Sequence, residues 1–328
     1  MAELFYRPIA LDDHPLRKRA YRVPTPSIAQ FKALIEECLF LYIPGALIYG
    51  HSRIGKTYAI EFLRLDLERR YKGISILKMR CHRTQIPSEN TFFGSLLSAA
   101  GHPVQAGESK AALRGRLVHK IRQVADRRGD NRIILFADEA QNLREIEYEW
   151  LRDLHDDLEN SELRLFTFLV GQRQLLAQKS AFQAQDREHI VARFMIEELE
   201  FHGIVSAAEC QSVLAGYDSG EYPANSGWSF TRFCMPKAFD AGLRLKDSST
   251  MLWGAFEAAH LQANLDGPLE IPMKFLTAAV EAALLLSVQR DMPELTLEQD
   301  FWDQMVARSR YVLAKQAVKP KLTPITSR

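Results

Sequence analysis

The sequence is short of several things that would mark a specialised protein class. Among its 328 residues there are only four cysteines, Cys38, Cys81, Cys210 and Cys234. They are far apart and form no CxxC pair, so neither a zinc site nor a disulfide framework is signalled, and buried thiols in a reducing cytoplasm are expected. Charge of one sign is lacking too: 42 Lys and Arg against 41 Asp and Glu leave a formal net charge of +1. That balance excludes a uniformly basic nucleic-acid coat, although a basic patch on one face stays open. Long apolar runs are missing as well. The longest, from Ala278 to Val288, is broken by Glu281 and falls short of the ~20 residues a bilayer span needs. With no charged-then-apolar leader at Met1-Ala2-Glu3-Leu4, the expectation is a soluble cytoplasmic protein without a membrane partner.

What is present is a regular alternation. After a proline-rich stretch with Pro8, Pro15, Pro24 and Pro26, which reads as an irregular arm over 1–30 laid on the surface or on a neighbour, residues 27–41 have helical spacing. Strands are then predicted at 46–49, 74–79, 132–137, 163–170 and around 194–199, separated by helices at 56–71, 88–100, 110–128 and 145–158. Such alternation predicts a parallel sheet covered on both faces, with the near-continuously apolar strand 132–137 at its centre. Beyond Gly203 the pattern is helical only. Ser206-Ala207-Ala208-Glu209 and Thr296-Leu297-Glu298-Gln299 have capping-box spacing, and helices are expected at 206–216, 248–262, 271–290 and 297–315. The organisation expected is therefore an arm (1–30), an α/β core (31–203), a helical lid (204–315) and a basic tail (316–328).

Chemistry is concentrated at the ends of the predicted strands. Gly50-His51-Ser52-Arg53-Ile54-Gly55-Lys56-Thr57 sits between a strand and a helix and fits the phosphate-binding P-loop. Its backbone amides turn toward the β- and γ-phosphates of ATP, Lys56 supplies a point charge and the Thr57 hydroxyl a ligand for Mg²⁺. Phe136-Ala137-Asp138-Glu139 ends an apolar strand at the sheet edge where α/β proteins bind ligands. Asp138 is expected to hold Mg²⁺, and Glu139 to polarise the water that attacks the γ-phosphate. The tip of the strand 163–170 is expected to place a polar sensor beside that water, with Gln172 first and Thr167 and Arg173 as lesser candidates. Arg193, with Arg187 as competitor, is a candidate arginine finger acting on a neighbouring subunit's nucleotide. Lys274 opens a lid helix from which a cation could reach the phosphates. For nucleic acid, Lys110, Arg114, Arg116, Lys120, Arg122, Arg127 and Arg128 crowd one helix, and Lys78, Arg80, His82 and Arg83 lie near the end of the second strand. Together these cations could line a phosphate-tracking channel. Arg308, Arg310, Lys315, Lys319, Lys321 and Arg328 make the C-terminal tail a docking candidate.

With these two motifs, the candidate finger and the helical lid, the chain resembles the AAA+ P-loop ATPases. Within them it is most similar to the TnsC/TniB regulators of heteromeric-transposase transposons, through Tyr21-Arg22-Val23-Pro24-Thr25-Pro26, Phe136-Ala137-Asp138-Glu139-Ala140-Gln141-Asn142, Leu169-Val170-Gly171-Gln172 and Val191-Ala192-Arg193-Phe194. The resemblance implies a DNA-stimulated ATP hydrolase that forms rings or helical filaments on duplex DNA. It also implies a target-selection protein of the TniQ type and transposase subunits as partners. Gln172 stands where Asn or Thr is usual and Lys274 where many relatives carry Arg. A scaffold with little hydrolysis, and a motor or signalling ATPase for secretion or replication loading, are the alternative readings.

Overall fold

The computed structural model describes residues 7–105 and 107–317. The chain divides into two compact units, one running Ser27–Phe201 and the other joining the described residues up to Pro26 with those from His202 onward. The proline-rich stretch thus clusters with the residues from His202 onward. A short helix within it, α1 (Pro15–Lys18), packs in the second unit, while residues beyond 317, with Lys319, Lys321 and Arg328 of the expected tail, lie outside the described residues.

The first unit is an α/β domain. It runs α2 (Pro26–Leu41), β1 (Gly45–Tyr49), α3 (Lys56–Arg70), β2 (Ser75–Arg80), α4 (Glu89–Ala99), α5 (Lys110–Arg128), β3 (Arg132–Asp138), α6 (Glu145–Glu159), β4 (Arg164–Gly171), α7 (Gln174–Ala184), α8 (Glu188–Phe194) and β5 (Glu197–Glu200). All five strands are parallel, in the order β2-β3-β4-β1-β5. The expected α/β class with a covered parallel sheet is therefore the observed one. Residues 133–137 of β3 are fully buried, as their apolar run requires, but β3 is one place in from the edge and β4 is the middle strand. Side chains of the sheet alternate between two cores. Leu135 and Leu169 face the one built with α4, α5 and α6, and Phe136 and Phe168 face the one built with α2 and α3. The fifth strand starts later than its sequence implies, because the apolar residues Ile190 and Phe194 bury one face of α8 first.

Among the described residues, the second unit is helical apart from two isolated β-bridges, Ile204 with Ile271 and Glu221 with Ser229. After α1 it contains α9 (Ala207–Ser219), α10 (Phe230–Cys234), α11 (Pro236–Asp240), α12 (Ser249–Gln262), α13 (Met273–Ser287), α14 (Gln299–Arg308) and α15 (Tyr311–Gln316). Ser206 caps α9 by accepting from the Glu209 amide, and the Glu209 carboxylate returns to the Val205 amide. Thr296 forms no such box: α14 begins only at Gln299, whose side chain donates to the Met251 carbonyl. The helix expected over 297–315 is broken at Arg310, which adopts left-handed backbone (φ 64°). Residues 7–26 are fixed here by His14, stacked on Phe233 at 4.0 Å, and by Tyr21, whose hydroxyl meets the Tyr217 hydroxyl at 2.9 Å and donates to Glu281 at 2.8 Å. No helix among the described residues is long and apolar enough to cross a membrane.

Candidate nucleotide site

The strand order brings the two motifs of the sequence together. β4 lies between β1, which feeds the Gly50–Thr57 loop, and β3, which ends in Asp138. All three C-terminal tips therefore meet at one edge. The loop is pinned at its start by the Gly50 amide donating to the Gly171 carbonyl at the tip of β4 (3.2 Å). Arg53 (φ 64°) and Gly55 (φ 121°) are left-handed, while Ser52 and Ile54 are not. Alternation of this kind turns successive amides into one concavity, an anion-binding nest. At φ 121° only glycine is comfortable, which accounts for Gly55 immediately before α3. Ile54 is buried and anchors the loop, whereas His51, Ser52 and Arg53 are exposed around its mouth. Lys56 is buried and donates to the carbonyls of Gly50 (2.8 Å) and His51 (2.7 Å), so its ammonium lies within the curve of the loop.

Thr57, one residue into the helix, donates its hydroxyl to Asp138 Oδ2 at 3.0 Å. The other Asp138 oxygen accepts the Glu139 amide at 3.1 Å. Burial pushes the Asp138 carboxyl above the ordinary carboxylate range, against the opposing pull of the Thr57 hydrogen bond and of Lys78. A carboxylate and a hydroxyl held together in a poorly hydrated corner beside an anion nest fit a hard divalent cation, which prefers oxygen ligands and would repay that lost hydration. The fit to Mg²⁺ and a nucleotide phosphate thus rests on the donor set itself.

Glu139 also has left-handed backbone (φ 59°, ψ 37°), unusual for a residue other than glycine and costing on the order of 1 kcal/mol or more. Its Oε2 accepts the side-chain amide of Gln141 at 2.6 Å. The same Gln141 side chain accepts, through Oε1, the backbone amide of Gln172 at 3.0 Å. Gln172 is therefore at the β4 tip between the two motifs, as the strand order requires. Thr167 is not: it pairs in register with Gly45 at the start of β1, is fully buried and is hydrogen-bonded to His155 Nε2 at 2.8 Å. Arg173 turns to Glu200 at the end of β5. Gln141 was missed by sequence reasoning, because its partner lies 31 residues away and only strand adjacency unites them.

The remaining candidates have neighbours of their own. Arg193 is in the last turn of α8, shortly before β5 begins at Glu197, and is ion-paired with Asp156 of α6; Arg187 pairs with Glu145 at 2.6 Å. Lys274 belongs to the helical unit, where it is exposed in the first turn of α13, 5.7 Å from the Phe275 ring. The basic helix α5 is mostly committed to its own neighbours. Lys110 pairs with Glu89 at 3.0 Å, Arg116 with Glu108, and Arg114 with Asp157 and Asp153 of α6. Lys78 is likewise held by Glu61 at 2.6 Å. These cations neutralise carboxylates within the fold, so the channel of free charges expected from the sequence is reduced. Arg83, Lys120, Arg80, His82 and Arg122 take no ion pair among the described residues.

The AAA domain family model matches residues 45–178, which hold β1 to β4 and the whole site. No curated protein matches in sequence. Among solved structures, the ORC1 protein of Aeropyrum pernix in complex with DNA is similar with a TM-score of 0.51 at 14% identity, over 90% of this chain and 67% of its own. The ORC2 protein of the same organism, in ADPNP-ADP complexes, gives 0.49 at 14% identity, over 90% and 71%. Domain III of the Thermotoga maritima replication initiation protein DnaA gives 0.46 at 10% identity, over 87% and 93%. At these identities the likeness to ORC1 is one of fold.

Proposed function

We propose that this chain, which carries an AAA-type P-loop ATPase domain in an AAA+ fold, is an ATP-driven switch that assembles on duplex DNA. The observation that carries the reading is the union of Lys56, Thr57, Asp138 and Glu139 at one sheet edge, with Gln172 on the strand between them. In this arrangement the loop amides and Lys56 would hold the phosphates of ATP, and Thr57 and Asp138 would hold Mg²⁺, whose charge would offset that of the phosphates. Glu139 takes the proton of the attacking water. Arg193 can act in trans only after it leaves Asp156. DNA phosphates are met by Arg83 and Lys120, which take no ion pair among the described residues, since Lys110, Arg114 and Arg116 are already engaged.

Transposition is the finer reading: the motif segments that resemble those of TnsC/TniB regulators favour a ring or filament that links a TniQ-type target-selection protein to the transposase subunits. A replication-loading role is favoured instead by the fold shared with the DNA-bound ORC1 protein. Both readings need DNA-dependent turnover. Steady-state ATP hydrolysis is expected to rise when duplex DNA is added and to fall in Glu139→Gln with nucleotide binding retained. Turnover indifferent to both would overturn the switch.

A further inference from the structure

Gln141 spends both ends of its side-chain amide on the site. Its Nε2 donates to Glu139 Oε2 at 2.6 Å, and its Oε1 accepts the Gln172 amide at 3.0 Å. One residue earlier on β4, the Gly171 carbonyl accepts the Gly50 amide that opens the P-loop. A continuous connection therefore runs from the first residue of the phosphate loop, across the β4 tip, to the carboxylate of Glu139. We propose that Gln141 is a positioning residue for hydrolysis: it fixes the Glu139 carboxylate against the β4 tip and so sets the base in register with the phosphate loop. The inference rests on the hydrolytic role given to Glu139 above.

Three further features support this assignment over one of mere packing. First, Gln141 is itself held. Its backbone carbonyl accepts the Gln178 amide at 3.1 Å, Gln178 also donates to the Leu143 carbonyl at 2.9 Å, and the hydroxyl of the fully buried Tyr148 donates to Gln178 at 3.3 Å. Second, room for the amide is made by a missing side chain: a Cβ on Gly171 would lie 2.4 Å from Gln141 Oε1. Third, the amide engages one oxygen of Glu139 only. Oε1 takes no partner among the described residues, so it remains for water while Oε2 is anchored. Glu139 needs such an anchor because its left-handed backbone directs the side chain away from the orientations a helix or strand would impose.

A catalytic group displaced by about 1 Å loses on the order of a hundredfold in rate. Three variants separate the roles in the full-length protein. Gln141→Met keeps the volume and loses both hydrogen bonds, Gln141→Glu keeps the acceptor and replaces the donor by a second carboxylate, and Gln141→Ala removes both volume and bonds. Each is expected to lower kcat by about 10- to 100-fold while KM and the affinity for a fluorescent ATP analogue change by less than about threefold. In single-turnover assays on a Glu139→Gln background, Gln141→Met is expected to cause no further loss, since the group it positions is already gone. The assignment is overturned if folded Gln141→Met and Gln141→Ala keep the wild-type kcat, or if Gln141→Met costs the same factor with and without Glu139. If Glu139→Gln itself leaves turnover intact, the hydrolytic reading fails first and Gln141 loses its role with it.

Discussion

Replacing Asp138 by Asn is expected to stabilise the nucleotide-free protein while weakening its response to Mg²⁺-ATP. Asp138 is 3% exposed, so it gives up most of its hydration on folding, and its two hydrogen bonds come from neutral donors, the Thr57 hydroxyl and the Glu139 amide. Asn keeps shape and bonding: its oxygen accepts from the Glu139 amide, and its amide donates to Thr57 Oγ. What disappears is a buried charge, a gain on the order of 1 kcal/mol, or about 2–4 °C in melting temperature for a unit of this size. The pH dependence has a definite sign. Burial raises the folded-state pKa of Asp138 above its unfolded value, so the charge penalty is absent in acid and complete once pH has risen past the folded value. The advantage of Asn is therefore expected near pH 7 and should shrink as pH falls toward 4. Ligand reverses the order. A nucleotide at a hundredfold its Kd adds about 2.7 kcal/mol, about 5–10 °C, and the Mg²⁺-dependent part of that rise should be lost in Asp138→Asn. Thermal melts with ATP analogue, with and without Mg²⁺ or chelator, read both effects. A lower melting temperature of the nucleotide-free variant, or an undiminished Mg²⁺-dependent rise, would refute the reasoning.

Gly171→Ala forces the Gln141 amide aside and is expected to lower kcat as Gln141→Met does; a wild-type rate would show that the amide finds another route to Glu139. Arg114→Ala is expected to cost about 1–2 kcal/mol of stability, because that residue holds α5 to Asp153 and Asp157 and lies 5.9 Å from the Phe93 ring. Lys120→Glu should leave the melting temperature within a few degrees but weaken duplex binding and lower its salt slope by about one. Titrations and melts that show the opposite pattern would refute this division. His14 is fully buried and lowered from 6.5 to about 4 by that burial. Its unfolded form thus binds a proton first, and the stability of the helical unit should fall as pH drops from 6.5 through 4, by up to about 3 kcal/mol. His14→Phe is expected to flatten that slope in acid melts; an unchanged slope would assign it elsewhere.

The fold was legible where local chemistry decides it. The strand 132–137 announces its burial by an unbroken apolar run, and α5 is bounded by Ser109, which caps the Ala112 amide, and by left-handed Gly129. The phosphate loop and Asp138-Glu139 were legible for the same reason, each being a contiguous segment with a mechanism. What could not be read depends on distant neighbours. Arg114 has the charge of a DNA ligand, but Asp153 and Asp157, some 40 positions away, claim it. Thr167 is polar and close in sequence to Gln172, yet strand register puts it opposite Gly45. Arg310 breaks the last helix although its sequence holds neither glycine nor proline there.

The tie between Tyr21, Tyr217 and Glu281 has a bearing on how the chain is made. Its members leave the ribosome at widely separated times, with the whole of Ser27–Phe201 synthesised between the first and the second. The α/β unit is a contiguous insert whose contacts are complete as soon as Phe201 has emerged, so it is suited to fold during synthesis. The helical unit must wait, because Glu281 of α13 completes the tie to Tyr21 and the fully buried Trp302 and Tyr311 of the same core are made later still. Changes to residues 7–26 should accordingly be felt in the late-folding unit, leaving the α/β unit already formed.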